Sequence, residues 1–285
     1  MTHCINFNGN IIRSDQPVIA ADNRGFRYGD GIFETIRIQN NLIVLADYHF
    51  DRLFTGMKLL QLEQPDFFTP SELSKQIKEL CKKNDHRESA RVRLVVFRGN
   101  GGLYDPENHF PNYIIQSWPL SNADAGLNKE GLDIGIFENG KKAIDDFSNL
   151  KSNNYLLYAM GALYAKTNKL SDCLILNGNN RICDSTKANV FCVKDKIIFT
   201  PPLSEGCVAG VIRRYFLVRL PETGFTVVEK EINVEFLRSV DEIFLTNALF
   251  PIQWVKSFNG GSYKNEIASS VFEAVIRNME PQIVL

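Results

Sequence analysis

Residues 31–45 read GIFETIRIQNNLIVL. From Thr35 to Gln39 polar and apolar side chains alternate, the period of a strand with one buried face. Asn40-Asn41 then supplies two residues that tolerate the left-handed backbone of a tight hairpin, and a second apolar run follows. A β-sheet is therefore built early in the chain. Upstream, CINFNGNIIR (4–13) repeats the device as strand, Asn-Gly turn and strand. Downstream, YHFDRLFTGMKLLQL (48–62) and TPSELSKQIKELCKKN (69–84) carry helical periodicity. In the second of these Thr69 is placed to cap, Pro70 stands at the first helical position and Glu72 completes a capping box. Two helices are expected on that sheet, with ARVRLVVFRG (90–99) and NYIIQSWPL (112–120) as further strands.

The polar, apolar-poor stretch that follows predicts an interdomain linker over 120–130, between an N-terminal α+β lobe (1–119) and a C-terminal lobe (131–285). The second lobe reads as strand LDIGIF, helix NYLLYAMGALYAKTN, strands DCLIL, NVFCV and KIIFT, and helices near AGVIRRYFLVRL and EIASSVFEAVIRNM. Strands and helices mix without regular βαβ alternation and no GxGxxG follows a strand, so the fold class is α+β with a mixed sheet or barrel in each lobe, not a Rossmann sheet.

Composition sets limits on function. With 32 Lys+Arg against 33 Asp+Glu in 285 residues, no global basic surface exists to recruit nucleic acid. No apolar run approaches a bilayer span and MTHCINFNGN lacks a signal-peptide core, so a cytoplasmic chain is expected. Six cysteines without a CxxC pair and four histidines without HExxH spacing predict thiols and no metal.

Taken alone, the candidate chemical groups are ordinary. Lys151 lies between a polar loop and an apolar helix, where most lysines are solvated charges. Asp184, in RICDSTKANVF (181–191), reads as a turn aspartate beside Ser185 and Thr186. AGVIRR opens a helix with the N–H groups of Val211 and Ile212 available to an anion, and Arg52 is a charged fork on the first helix.

Their order along the chain carries more. RGFRYGDGIFETIR, HFDRL, RGNGG, LKSNNYL, ICDSTKANVF with IIFTPP, VAGVIR and DEIFLTNAL follow one another in a way that resembles the fold-type IV, or class IV aminotransferase, family of pyridoxal-phosphate (PLP) enzymes. That family includes branched-chain and D-amino-acid aminotransferases and aminodeoxychorismate lyases. The resemblance implies a two-lobed, D-amino-acid aminotransferase-like fold and PLP as cofactor. It also implies a small amino-acid-like substrate, and a homodimer in which a neighbour's loop closes each site. Lys151 matches the lysine that forms the internal aldimine and later serves as general base. Arg52 matches the phosphate-binding arginine, Tyr155 the tyrosine that in some members bonds the cofactor's phenolic oxygen, and Val211 and Ile212 the backbone phosphate cradle. Asp184 stands where the family usually places a glutamate against the pyridine nitrogen, and Ile212 where it usually has threonine. Phe33, Thr35, Arg37 and Arg98 are expected on the substrate side. Asn247-Ala248 replaces a Gly-Thr turn near the cofactor phosphate, which removes a hydroxyl and adds an amide. This favours aminodeoxychorismate cleavage over transamination of branched-chain or D-amino acids with 2-oxoglutarate, while a non-catalytic interaction module on the same fold is the reading from another class.

Overall fold

The computed structural model describes residues 3–121, 126–277 and 279. The chain divides into two compact units, one of Met1–Ala123, Lys151–Asn154 and Glu280–Leu285, the other of Asp124–Leu150 and Tyr155–Met279. Within the stretch 120–130, residues 122–125 lie outside the described ones.

In the first unit, β1 (Cys4–Phe7), β2 (Asn10–Arg13), β3 (Gly31–Gln39), β4 (Leu42–Ile43), β5 (Ser89–Arg98) and β6 (Pro111–Pro119) form one sheet in the order β2-β1-β6-β5-β3-β4. Every pairing in it is antiparallel. Both predicted tight turns are present, with Asn8 at φ 50° and Gly9 at 87°, and Asn40 at 51° and Asn41 at 60°. Alternation along β3, β5 and β6 buries Ile36, Ile38, Val92, Leu94, Val96 and Ile115 completely. Against this sheet pack α2 (Ala46–Leu59), on β3, and α3 (Pro70–Lys83), on β1 and β6; the short α1 spans Arg24–Tyr28. Thr69 Oγ1 accepts from Glu72 N–H at 3.2 Å with Pro70 at the first helical position. The Glu72 carboxylate instead accepts from Gln76 Nε2 at 3.0 Å.

The second unit contains β7 (Leu132–Lys142), α4 (Leu156–Thr167), β8 (Asp172–Asn177), β9 (Ile182–Ser185), β10 (Asn189–Lys194), β11 (Ile197–Thr200), α5 (Val211–Glu222), β12 (Val227–Glu229), α6 (Val234–Arg238), β13 (Glu242–Thr246), β14 (Gln253–Phe258), β15 (Gly261–Ser262) and α7 (Glu266–Val271). Its strands run β12-β11-β10-β13-β14-β7-β8-β9, and β9 also pairs with β10. That last pairing closes β10, β13, β14, β7, β8 and β9 into a six-stranded barrel. Ile134, Leu174, Ile182, Val190, Ile243, Leu245, Val255 and Phe258 pack into one apolar core. A second layer, with Phe137, Tyr158, Cys173, Ile175, Cys183 and Cys207, lies where α4 packs on β7 and β8. Gly161 permits that approach, because a Cβ there would meet Thr186 Cγ2 at 3.0 Å and Ile175 Cδ1 at 3.1 Å. All six cysteines are buried thiols.

Glu242, buried at the start of β13, caps a helix distant in sequence, accepting from Ile267 N–H at 2.7 Å and Ala268 N–H at 2.9 Å. Glu242→Ala orphans both donors. The expected loss is about 2 kcal/mol in urea unfolding, with faster hydrogen exchange at these two amides. Unchanged unfolding and exchange would show that α7 holds its own first turn.

Candidate active-site residues

Two groups of side chains stand out, one in each unit. In the first, residues Lys151–Asn154 are laced to β3, with Lys151 carbonyl accepting from Phe33 N–H (2.9 Å) and Asn153 N–H donating to Gly31 carbonyl (2.8 Å). These backbone bonds account for the grouping of the four residues with the N-terminal unit. Lys151 Nζ sits 4.6 Å from the centroid of the Phe33 ring, and the Arg93 guanidinium carbon 3.7 Å from the same centroid. One buried ring is thus contacted by two cations. Thr35 is paired with Arg93 and Arg37 with Arg91, so Phe33, Thr35 and Arg37 share one face of β3.

Glu34 points the other way. It holds the Arg52 fork by two bonds, Nε to Oε1 at 2.7 Å and Nη2 to Oε2 at 2.5 Å, and meets His49 Nδ1 at 2.6 Å. Burial pushes the Glu34 carboxyl up, but Arg52 and His49 outweigh it and hold it at about 2. Burial pushes His49 down, assisted by the charges of Arg52 and Lys151 against that of Glu34, so the neutral ring donates Nδ1–H to the carboxylate. Arg98, expected on the substrate side, is buried, with its guanidinium joined to Asp30 (2.9 Å) and to the carbonyls of Leu60 (2.5 Å) and Gln61 (3.4 Å) just past α2. Asp30 also accepts from Arg24, whose fork collects the carbonyls of Gly101 through Tyr104 and so fixes the loop after RGNGG.

In the second unit, Asp184 lies inside β9, paired with Ile175 and Asn189, and not in a turn. It is 2% exposed and fully engaged. Oδ2 accepts from Tyr158 OH (2.8 Å), Val208 N–H (3.0 Å) and Lys142 Nζ (3.1 Å), whereas Oδ1 accepts from Asn189 Nδ2 (2.9 Å). Tyr155 stacks on Tyr158, centroids 4.4 Å apart, with its hydroxyl 3.4 Å from Thr186 carbonyl. At the start of α5 the first internal bond runs from Arg214 N–H to Gly210 carbonyl, leaving Val211 and Ile212 N–H without intrahelical acceptors. A Cβ on Gly210 would fall 1.8 Å from Asn189 Oδ1, so only glycine fits before this helix. Asn247 Oδ1 accepts from Leu249 N–H (2.9 Å) and Phe250 N–H (2.8 Å), which makes it first a clamp on its own loop.

Glu34, His49, Arg93, Lys142, Tyr158 and Asn189 escaped the sequence reading. Glu34 and His49 carried a usable signal, since a charge in an apolar strand and a histidine on the apolar side of HFDRL both ask for partners.

The profile of the class IV amino-transferase family matches residues 31–258. The chain belongs to the class IV aminotransferase family. Over 285 residues it is 28% identical to an aminodeoxychorismate lyase of Bacillus subtilis, covering 95% of this chain and 94% of that one. It is 27% identical to a putative branched-chain-amino-acid aminotransferase of Methanocaldococcus jannaschii, covering 92% and 90%. The solved branched-chain aminotransferase of Thermoproteus uzoniensis shares the fold with a TM-score of 0.86 at 21% identity, covering 97% and 94%.

Class IV aminotransferases are PLP-dependent enzymes. The residues present suit that group. There is a lysine amine held against an aromatic ring, an arginine fork oriented by a carboxylate, a helix start closed to any Cβ, and a buried carboxylate with capacity left on Oδ1. Among the described residues no cluster of three metal-binding side chains occurs, and no helix is long and apolar enough to cross a membrane.

The Glu34 group makes a prediction about pH. Both its shifts are downward, so the unfolded chain binds protons that the folded chain refuses, and stability falls with acid. Loss begins below the ordinary histidine value of 6.5 and continues from 4.5 down to about 2 as Glu34 is forced to protonate. The Glu34 share is on the order of 3 kcal/mol. Urea unfolding against pH should show it in the wild type and not in Glu34→Gln; parallel curves would refute it.

Proposed function

We propose that this class IV enzyme carries PLP on Lys151 and cleaves aminodeoxychorismate to p-aminobenzoate and pyruvate. PLP, when bound, supplies a carbonyl carbon that exchanges amines and a ring that accepts electrons from the substrate. The protein does the rest. Lys151 would hold the cofactor covalently, and its amine, when free, would take the proton from the substrate carbon as general base. Its anchorage to β3 by backbone bonds supports this, since a base must return to one place. Arg52, aligned by Glu34, binds the phosphate together with Val211 and Ile212 N–H. With isoleucine at 212 the side chain offers no hydroxyl, and the backbone donor remains. Tyr155 donates to the phenolic oxygen, and Asp184 holds the proton on the ring nitrogen through Oδ1. Phe33, Thr35 and Arg37 form the substrate side, with Arg93 of β5 on the same sheet face; Arg98 acts there only by fixing loop and strand ends.

The observation that carries the choice of reaction is the Asn247-Ala248 turn. Its carboxamide oxygen is bound to Leu249 and Phe250 N–H, so the amide is held rigid and its Nδ2 is the group with donors to offer a hydroxyl or carboxylate of a ring substrate. The sequence likeness to the Bacillus subtilis lyase supports the same reading. The competing reaction, transamination with 2-oxoglutarate, uses the same lysine but returns the proton with the carbon skeleton intact. In the cleavage, the electrons left by that proton break the ring C–O bond and the enolpyruvyl group departs, to be protonated to pyruvate.

Two mixtures distinguish them, one with aminodeoxychorismate and one with L- and D-amino acids plus 2-oxoglutarate. p-Aminobenzoate should appear in the first; rapid pyridoxamine formation from leucine, valine or D-alanine, with none in the first, would assign a transaminase instead. Lys151→Ala should lower either rate by at least about 10³-fold, and borohydride should fix the cofactor to the Lys151 peptide in the wild type. Label on another lysine would overturn the assignment.

A further inference from the structure

Lys142 has no part in the scheme above, yet its ammonium is buried, which is rare for lysine and requires a partner. The chain arranges for it. Pairing of β7 with β8 jumps from Phe137 opposite Ile175 to Lys141 opposite Leu176, a bulge in which three residues occupy no register position. The next pair sets Lys142 opposite Asn177, on the same sheet face as Ile175 and Asp184. Nζ then reaches Asp184 Oδ2 at 3.1 Å and lies 5.1 Å from the centroid of Tyr158. Burial and the Asp184 charge push the Tyr158 hydroxyl well up, so it remains a donor to the same oxygen.

Oδ2 therefore takes three donors, more than the two lone pairs of one carboxylate oxygen accept at full strength, while Oδ1 takes one. We propose that Lys142 is a positioning residue that pins Asp184 through Oδ2, leaves Oδ1 to receive the cofactor ring nitrogen, and by its charge moderates how firmly that nitrogen keeps its proton. The proposal rests on the assignment of Asp184 to the ring nitrogen made above. Its physics is competition. A carboxylate already neutralised by an ammonium attracts a second cation less than an unshared one does. The electron sink of this enzyme is thereby set weaker than the carboxylate alone would make it.

The test reads the ring nitrogen directly, by the 15N resonance of ring-labelled PLP bound to holoenzyme. Lys142→Met removes the competing charge, so the resonance should move toward the protonated-ring position, and Lys142→Arg should restore the wild-type value. Asp184→Asn should move it the opposite way. Loss of one partner from a buried pair destabilises the fold, so apo Lys142→Met should melt below wild type and apo Asp184→Asn/Lys142→Met above Lys142→Met. In that folded double variant the resonance must match Asp184→Asn alone, because Lys142 acts only through Asp184. If Lys142→Met leaves the resonance at the wild-type position, or the double variant differs from Asp184→Asn, the role of Lys142 is overturned while that of Asp184 stands. If Asp184→Asn itself leaves the resonance unmoved, the assignment of Asp184 falls, and the Lys142 proposal with it.

Discussion

A carboxylate removed from water has to recover its hydrogen bonds from the protein, and this constraint organises both units. Glu34 is satisfied by His49 and Arg52 of α2, which fixes the helix on β3. Asp30 takes both Arg24 and Arg98; Arg24 then collects carbonyls of the loop after β5, and Arg98 those just past α2. Glu205 binds Arg181 and Asn177 across the turn after β8, and Glu242 replaces the missing acceptors at the start of α7. Each acid joins segments far apart in sequence. Truncating one of them leaves a partner charge or donor buried and unmatched, which costs more than the contact itself contributes.

Asp184 obeys the same rule under a harder condition, since an acid expected to serve a cofactor must be held without being exhausted. Three donors on one oxygen and one on the other meet that condition by asymmetry. The short side chain fits this arrangement. Asp184 stands in a strand, flanked by β8 and β10, so its carboxylate stays close to the sheet, where Asn189 and the Val208 N–H can reach it. A longer acid would carry its oxygens past these donors.

What the sequence revealed was local. The Asn-Gly and Asn-Asn turns, the Thr69 cap and the strand period of β3 are set by neighbours within four residues, and each is found where the pattern put it. Asp184 was misplaced into a turn because ICDS is too short to show a period, and β9 exists only through its pairings with β8 and β10. Barrel closure depends on those non-local bonds and leaves no mark in a window of sequence. Lys142 was equally unreadable. Its direction is decided by a bulge, and a shift of three residues reverses the face on which every later side chain of β7 falls. The unpredicted residues are mainly those that hold others in place, because a supporting role is defined by the partner and not by residue type.

Arg52 shows how such support alters the meaning of a recognised residue. An unaided arginine on a helix is flexible, and ordering it against an anion costs up to about 2 kcal/mol of side-chain entropy. Two bonds from Glu34 remove that freedom during folding and leave the fork aligned before any phosphate arrives. Glu34 in turn is kept ionised by the very cation it orients and by His49. The group is therefore a unit: its carboxylate is stable only with Arg52 present, and the arginine is preorganised only while the carboxylate keeps its charge.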